Sequence, residues 1–267
     1  MSVSGFLPLF ARVNKSTIST YNSHEVSKMT KETAMIEQLL QAKSITFLTG
    51  AGVSTPSGIP DYRSLHGVYQ GLDQPEYLLS ATCLKREPEK FYSFIKQLYH
   101  PDALPNVIHQ TIHELEKTHN LWVVSQNIDG LHDRAGSTQV VNFHGSLYHV
   151  YCQSCGKEVP YVDYLASDRH LCGGRLRPAI VLYEEGFTPQ TIKEAVRAVE
   201  AADIVVIVGT TFQVHPFCDL IEYKQKNAQV FVVNQTPIHL RGQKEQLIGN
   251  AVDFFQALHQ KLKEAQP

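Results

Sequence analysis

The residues of this 267-residue chain best suited to chemistry lie in short polar or glycine-rich segments, most of which follow an apolar run. Residues 50–63 read Gly-Ala-Gly-Val-Ser-Thr-Pro-Ser-Gly-Ile-Pro-Asp-Tyr-Arg. Gly50 and Gly52 would let the backbone approach a diphosphate, Ser54 and Thr55 offer hydroxyl donors, and Arg63 offers a forked cation. Thr55 stands where the third glycine of the usual dinucleotide fingerprint would be, so the glycines alone also fit a tight strand-to-helix turn. Residues 125–132 read Ser-Gln-Asn-Ile-Asp-Gly-Leu-His. Gln126 and Asn127 can bond ribose hydroxyls or a carboxamide, and Asp129 can accept from an amide. An Asx-type turn would account for the same residues equally well. His144, in Phe-His-Gly-Ser, carries an imidazole that can take a proton from a hydroxyl near neutral pH without special tuning. Gly145 leaves room beside it, a combination that His109, His132 and His149 lack. Residues 209–216, Gly-Thr-Thr-Phe-Gln-Val-His-Pro, suit a phosphate or ribose at a strand-to-helix turn, or a capped helix start.

Cysteines supply a different chemistry. Cys152-x-x-Cys155 has the bite of half a tetrahedral zinc site, and residues 156–171 separate it from Cys172, close to the two-pair ribbon spacing. Arg169 stands where the fourth cysteine would be and cannot ligate. His170 is the nearest donor and Asp168 the second, so the segment is either a Cys3His site or one that has lost its ion. Cys83 and Cys218 read as ordinary buried thiols, and the cysteine pattern as a whole fits a reducing compartment better than a disulfide framework.

The elements that would position these groups follow from hydrophobic period. Ile45-Thr46-Phe47-Leu48-Thr49, Leu121-Trp122-Val123-Val124, Gln139-Val140-Val141-Asn142-Phe143, Ile204–Val208 and Val230-Phe231-Val232-Val233 are near-continuous apolar runs of strand length. That character predicts strands covered on both faces of a parallel sheet. Helical patterns over 35–42, 106–117 and 189–201 alternate with them, which predicts an α/β doubly wound sheet with ligands outside the carboxyl ends of the strands. Gly50, Gln126, His144, Gly209 and Asn234 each follow a strand candidate, converging on one sheet edge. Residues 66–100 read as a helical insertion, and 147–177 as a small metal-stapled, ribbon-like insertion with little core of its own. A net charge of −2 excludes recognition of nucleic acid by bulk electrostatics, and no apolar run reaches membrane-spanning length. Residues 1–30, rich in Ser and Thr with few basic residues before Glu25, are expected to be a disordered extension. Met29 as the true start and a mitochondrial transit segment are the other readings, and cytoplasmic placement is favoured.

As a unit, and in this order, these motifs closely resemble the signatures of the sirtuins, the NAD-dependent protein lysine deacylases, over roughly residues 36–255. The resemblance implies a Rossmann-like NAD-binding domain from 31–146 and 178–267, with zinc held by 147–177 through Cys152, Cys155, Cys172 and His170. It assigns NAD binding to Gly50, Ala51, Gly52, Ser54, Ile59, Asp61, Tyr62, Arg63, Gln126, Asn127, Ile128, Asp129, Gly209, Thr210, Thr211, Asn234 and Val252. Ala51, Ile59, Asp61, Asn127 and Asp129 would line the nicotinamide end, with Gln126 at the attached ribose. Asn234 would contact the adenosine ribose, and Val252 with Asp253 would close around the adenine. His144 would be the catalytic base and Asn127 would act at the scissile end, giving nicotinamide, free lysine and an O-acyl-ADP-ribose. ADP-ribosyl transfer, plain NAD hydrolysis and a non-catalytic NAD-responsive module are the rival outcomes.

On the substrate side, residues 177–185 resemble the segment that pairs with the acyl-lysine peptide, so Val181, Leu182 and Tyr183 are expected to bind it by strand addition. The usual motif has glycine where this chain has Glu184. Sirtuins that remove acidic acyl groups carry a Tyr-x-x-Arg pair, matched here by Tyr92 and Ile95, so the resemblance implies a pocket for neutral acyl groups, with Phe91, Phe94 and Ile95 as candidate wall residues.

Overall fold

The computed structural model describes residues 15–61 and 75–264, the side chains of 15–26 and 75 excepted. Its strands are β1 (Ser44–Thr49), β2 (Asn120–Ser125), β3 (Val140–Asn142), β4 (Gly145–Cys152), β5 (Glu158–Val159), β6 (Leu176–Ile180), β7 (Ile204–Val208), β8 (Gln229–Asn234) and β9 (Glu245–Ile248). Its helices are α1 (Lys15–Gln41), α2 (Pro75–Leu78), α3 (Ala81–Arg86), α4 (Pro88–Gln97), α5 (Val107–Glu116), α6 (Leu131–Ala135), α7 (Tyr161–Ala166), α8 (Pro189–Glu200) and α9 (Ala251–Glu264). None of the described helices is long and apolar enough to cross a membrane.

Six strands form one parallel sheet in the order β3-β2-β1-β7-β8-β9. Chain direction across the sheet reverses between β1 and β7, so the crevice at the carboxyl ends of those two strands is the expected ligand position. Alternation explains how both faces are covered. Phe47, Val123, Val206 and Val208 point to a core shared with α1, α5 and α9, including Met35, Ile112 and Phe255. Leu48, Val124, Val205 and Ile207 point to the opposite core, where Ala195, Ala198 and Val199 of α8 pack. All five residues of β7 are buried, as a central strand with helices on both sides requires.

A second, three-stranded sheet has the order β5-β4-β6 and is antiparallel. It shares a third core with the helical insertion: Cys83, Phe91, Phe94 and Ile95 pack with Leu147, Val150, Tyr164 and Leu176. The two insertions therefore pack against one another. Residues 147–177 carry too little apolar surface to close a core, and α4 supplies the aromatic half.

Three expectations change. Residues 15–30, expected to be disordered, belong to α1, because the helix set by the formers of 31–41 extends toward the amino terminus at little nucleation cost; residues 1–14 lie outside the described residues. Instead of a helix directly after β7, the chain turns through Gly209 (φ 64°) and Phe212 (φ 54°) before a 3-10 turn at Cys218–Tyr223. β9, missed in the sequence, is a short edge strand whose Glu-Gln-Leu-Ile has only one fully buried residue.

Candidate active site

A cavity of ≈ 410 Å³ opens at the reversal point. Among the described residues its lining includes Ala51, Ser54, Ile59, Asp61, Gln126, Asn127, Ile128, Asp129, His144, Gly209, Thr210 and Thr211. Most of the residues expected on the cofactor side are thus gathered in one place. Tyr62 and Arg63 lie outside the described residues.

Gly50 and Gly52 are required by packing against the turn that follows β7. Gly50 N–H donates to the Val208 carbonyl at 3.2 Å and Gly52 N–H to the Gly209 carbonyl at 2.8 Å. A Cβ on Gly50 would lie 2.7 Å from Thr210 Cβ, one on Gly52 2.8 Å from Gly209 Cα, and one on Gly209 2.6 Å from Val53 N. The two turns interlock backbone to backbone, so a side chain at Gly50 or Gly52 would strike the Gly209–Thr210 turn.

Asn127 is fixed by its amide hydrogens, which donate to the Gly50 carbonyl at 3.1 Å and to Ser54 Oγ at 3.0 Å. Its Oδ1 is left as the acceptor for a ligand amide or hydroxyl. Ser54 Oγ in turn donates to Asp129 Oδ2 at 2.7 Å, and Leu131 N–H donates to Asp129 Oδ1 at 2.9 Å. Burial raises the Asp129 carboxyl above the ordinary carboxylate range, although the Ser54 and Leu131 bonds pull against it. Gln126 has its backbone N–H on the Thr49 carbonyl at 2.9 Å, while its Nε2 is buried without a partner among the described residues. An orphaned donor in the lining fits a ligand acceptor such as a ribose hydroxyl.

Behind this shell lies a polar layer that sequence reasoning underrated. Thr49 Oγ1 donates to Ser125 Oγ at 2.9 Å and sits 3.2 Å from His132 Nε2, and Asn127 N–H donates to Ser125 Oγ at 3.1 Å. The His132 and His109 rings lie 4.7 Å apart, tilted at 59° to one another. Both are buried, and burial lowers their pKa values, to about 4 for His109 and well below 6.5 for His132. Asn106 caps α5 and ties it to the glycine turn, donating from Nδ2 to the Val53 carbonyl at 2.8 Å and to Ser57 Oγ at 2.8 Å. The signal for this layer was the polar character of Thr49, Ser125 and His132 beside an apolar strand.

His144 stands between β3 and β4, its ring against Phe143 and Phe187, both at 5.6 Å. Nδ1 lies 2.9 Å from the Gln126 carbonyl, so the proton belongs on Nδ1 and the lone pair on Nε2. Gly145 (φ 82°) is required here, since a Cβ would fall 1.9 Å from the Ala179 carbonyl oxygen of β6. The His144 carbonyl accepts from Val181 N–H at 2.9 Å, joining the base to the segment expected to hold peptide.

That segment lines the cavity through Val181, Leu182 and Tyr183, but its N–H groups are already used. Val181 N–H bonds His144, Leu182 N–H bonds the Glu185 carboxylate at 3.0 Å, and Tyr183 N–H bonds the Leu79 carbonyl at 3.0 Å. These three N–H groups are therefore already paired within the chain. Glu185 is held by Arg177 at 2.7 and 3.1 Å.

Other expected residues sit elsewhere. Asn234 spends its amide hydrogens on the Thr210 and Thr236 carbonyls, both at 3.0 Å, and shapes the second turn from outside the lining. Val252 packs on the core at the start of α9. Phe91, Tyr92, Phe94 and Ile95 are not in the described lining: Phe91, Phe94 and Ile95 are buried in the third core, and Tyr92 stacks edge-on against Tyr164 and donates to its carbonyl. The wall on that side is built by Leu79, Leu98, Ile128 and Leu147.

Away from the cavity, Cys152, Cys155, His170 and Cys172 bring one donor atom each to within 4.8 Å of the others. His170 Nδ1 is 3.0 Å from Cys172 Sγ and 3.5 Å from Cys155 Sγ. Asp168 instead pairs with Arg175 at 3.2 Å, which leaves His170 as the fourth donor. Gly174 keeps the cluster closed, since a Cβ there would be 2.5 Å from Cys152 Sγ. Three thiols and an imidazole converging without open acceptors fit a structural zinc ion.

A family model described as the Sir2 family matches residues 50–216. Among curated proteins, an NAD-dependent protein deacetylase of Enterococcus faecalis is 63% identical over 207 residues, covering 77% of this chain and 87% of that protein. Among solved structures, a Sir2 homologue–NAD complex aligns with a TM-score of 0.76 at 30% identity, covering 87% of this chain and 94% of that one. A Sir2 complex with a p53 peptide and NAD+ aligns with a TM-score of 0.73 at 27% identity, covering 85% and 97%.

Proposed function

We infer that this chain, which belongs to the Sir2 family, is an NAD-dependent protein deacylase acting on acyl-lysine side chains. The co-substrate supplies a labile glycosidic bond to nicotinamide, and with it the ADP-ribose that receives the acyl group. Everything else is the work of the protein's own residues. We assign Asn127 and Asp129, held by Ser54 and the Gly50 carbonyl, to the nicotinamide end of the cavity, where a fixed amide and carboxyl select a carboxamide. Gln126 offers its buried Nε2 to the ribose beside it. His144 acts as general base through Nε2, since Nδ1 is committed to the Gln126 carbonyl. Phe143 and Phe187 hold that ring in place and keep bulk water from the proton transfer.

One observation carries this assignment: His144 and the 126–129 loop share a cavity wall and a hydrogen bond, so the base and the scissile-end residues move as a unit. Cys152, Cys155, His170 and Cys172 would hold the zinc ion, which would clamp the small sheet and take no part in the chemistry. Five cysteines outside any disulfide, three of them assigned to zinc, suit a reducing compartment, and we propose the cytoplasm on that ground.

Mass spectrometry of the products from NAD and an acetyl-lysine peptide tests the reading. O-acetyl-ADP-ribose with free lysine is the expected result. ADP-ribosylated protein, or ADP-ribose formed without peptide turnover, would replace deacylation with transfer or hydrolysis.

A further inference from the structure

Glu184 occupies a backbone conformation that its own side chain disfavours. Its φ is 74°, in the left-handed region natural to glycine. Such conformations persist where surrounding contacts over-determine them, and they cluster where a ligand must be clamped. At Glu184 the contacts are specific. Oε2 accepts from Thr82 N–H at 2.9 Å and from Thr82 Oγ1 at 2.7 Å. Directly alongside, Tyr183 N–H donates to the Leu79 carbonyl at 3.0 Å and Ala81 N–H donates to the Tyr183 carbonyl at 3.1 Å. The three bonded pairs staple the start of α3 to the segment that ends the peptide wall.

Both sides of the staple face the cavity, because Leu79, Tyr183 and Glu184 all line it. Glu185 cannot take over, since its carboxylate is committed to Arg177 and to Leu182 N–H. The bonds that set Asn127 and Asp129 run to residues 50, 54 and 131 instead, so the staple and the nicotinamide end are separately built.

We propose that Glu184 is a positioning residue for the acylated peptide: its carboxylate latches Thr82 and so fixes where Leu79 and Tyr183 stand in the cleft wall. The proposal rests on the deacylase reading for the identity of the substrate, but the latch itself does not. Removing it loosens one wall of the peptide site and leaves the cofactor end intact. The chain tolerates a strained glutamate here because the side chain does a task that glycine cannot.

The test uses the full chain with E184A, E184G and E184Q. Glycine relieves the backbone but deletes the latch, whereas glutamine keeps an oxygen that can accept from both Thr82 donors. Amide hydrogen exchange over residues 79–86 should quicken in E184A and E184G and stay near wild type in E184Q. KM for an acetyl-lysine peptide should rise about five- to tenfold in E184A and E184G, the loss expected when about one net hydrogen bond's worth of wall positioning is removed, with kcat and KM for NAD within about twofold. E184Q should restore KM to within about twofold, and E184G should melt no lower than E184A. Unchanged exchange in E184A and E184G would overturn the latch. A KM rise confined to E184A and matched by a lower Tm would reduce Glu184 to a structural residue and overturn its role toward substrate. If the wild-type chain turned over no acyl-lysine peptide at all, the deacylase reading would fail, while the exchange result would still decide the latch.

Discussion

A single proton separates the assigned roles of His144 and Asp129. His144 has its Nδ1 proton on the Gln126 carbonyl, so Nε2 is basic, and His144→Ala should lower kcat by about 10²–10⁴ while NAD affinity stays within a small factor. Near-normal turnover of acetylated peptide by that variant would remove His144 as base. Asp129 runs the other way. Burial raises its pKa above the ordinary 3.8, so its contribution to stability is full below that value and is lost as pH rises through the folded-state value. An amide has no charge to desolvate, so the Tm of Asp129→Asn relative to wild type should rise as pH is raised from 4 toward neutrality. Turnover should fall because the amide no longer selects the carboxamide. A Tm difference independent of pH would show that Asp129 is not ionised at a cost. The types of these residues were legible in the sequence, and so was their convergence on one sheet edge. The role of Gly50 and Gly52 was not, because sequence shows that a Cβ is missing but not which backbone lies against it.

At the scale of elements, the strands were read from continuous apolar runs, and their parallel pairing followed from the helices between them. What escaped was the docking of α4. Its motif places Tyr92 and Ile95 on a helix, but the face a helix presents depends on its partner. Here the partner is the small sheet, whose own apolar residues are too few to announce a core. The result is that Leu98 rather than Ile95 reaches the cavity. The same sheet depends on its metal cluster. Protein prepared without chelator should carry close to one zinc per chain; His170→Ala should weaken its retention and lower Tm by about 5 °C or more, because structural zinc contributes directly to folding. Folded, active protein free of zinc would show that the cluster has no structural role. A second pH effect belongs to the packing of α5 against α6 through His109 and His132. Burial holds both imidazoles below their ordinary 6.5, so their contribution is present above that value and is lost as pH falls toward about 4. Tm should decline between pH 6.5 and 4, with a shallower slope in His109→Gln. An equal slope in that variant would assign the acid sensitivity to other groups.

The whole molecule places its reaction where three cores meet: the two faces of the parallel sheet position the cofactor turns, and the third core supplies the acyl wall. That division sets which acyl groups are removed. Leu79, Leu98, Ile128 and Leu147 form an apolar wall, and the described lining contains no lysine or arginine. Its charged members are instead Asp61, Asp129, Glu184 and Glu185, the last neutralised by Arg177. A succinyl or malonyl carboxylate entering this cleft would lose its hydration against leucine side chains and meet carboxylates of its own sign. An alkyl chain gains about 0.8 kcal/mol for each methylene it buries, so butyryl-lysine should bind at least as tightly as acetyl-lysine until the chain outgrows the wall. Measured on one peptide sequence, kcat/KM should therefore be at least about tenfold lower for succinyl than for acetyl lysine, a difference of only about 1.4 kcal/mol between a desolvated carboxylate and a methyl group. The neutral preference expected from Ile95 is therefore proposed on different residues, the leucines of this wall rather than α4's buried face. Leu98→Arg offers the converse test. A cation placed on that wall should raise succinyl removal relative to acetyl, whereas an unchanged ratio would mean that the acyl group lies against another part of the cleft.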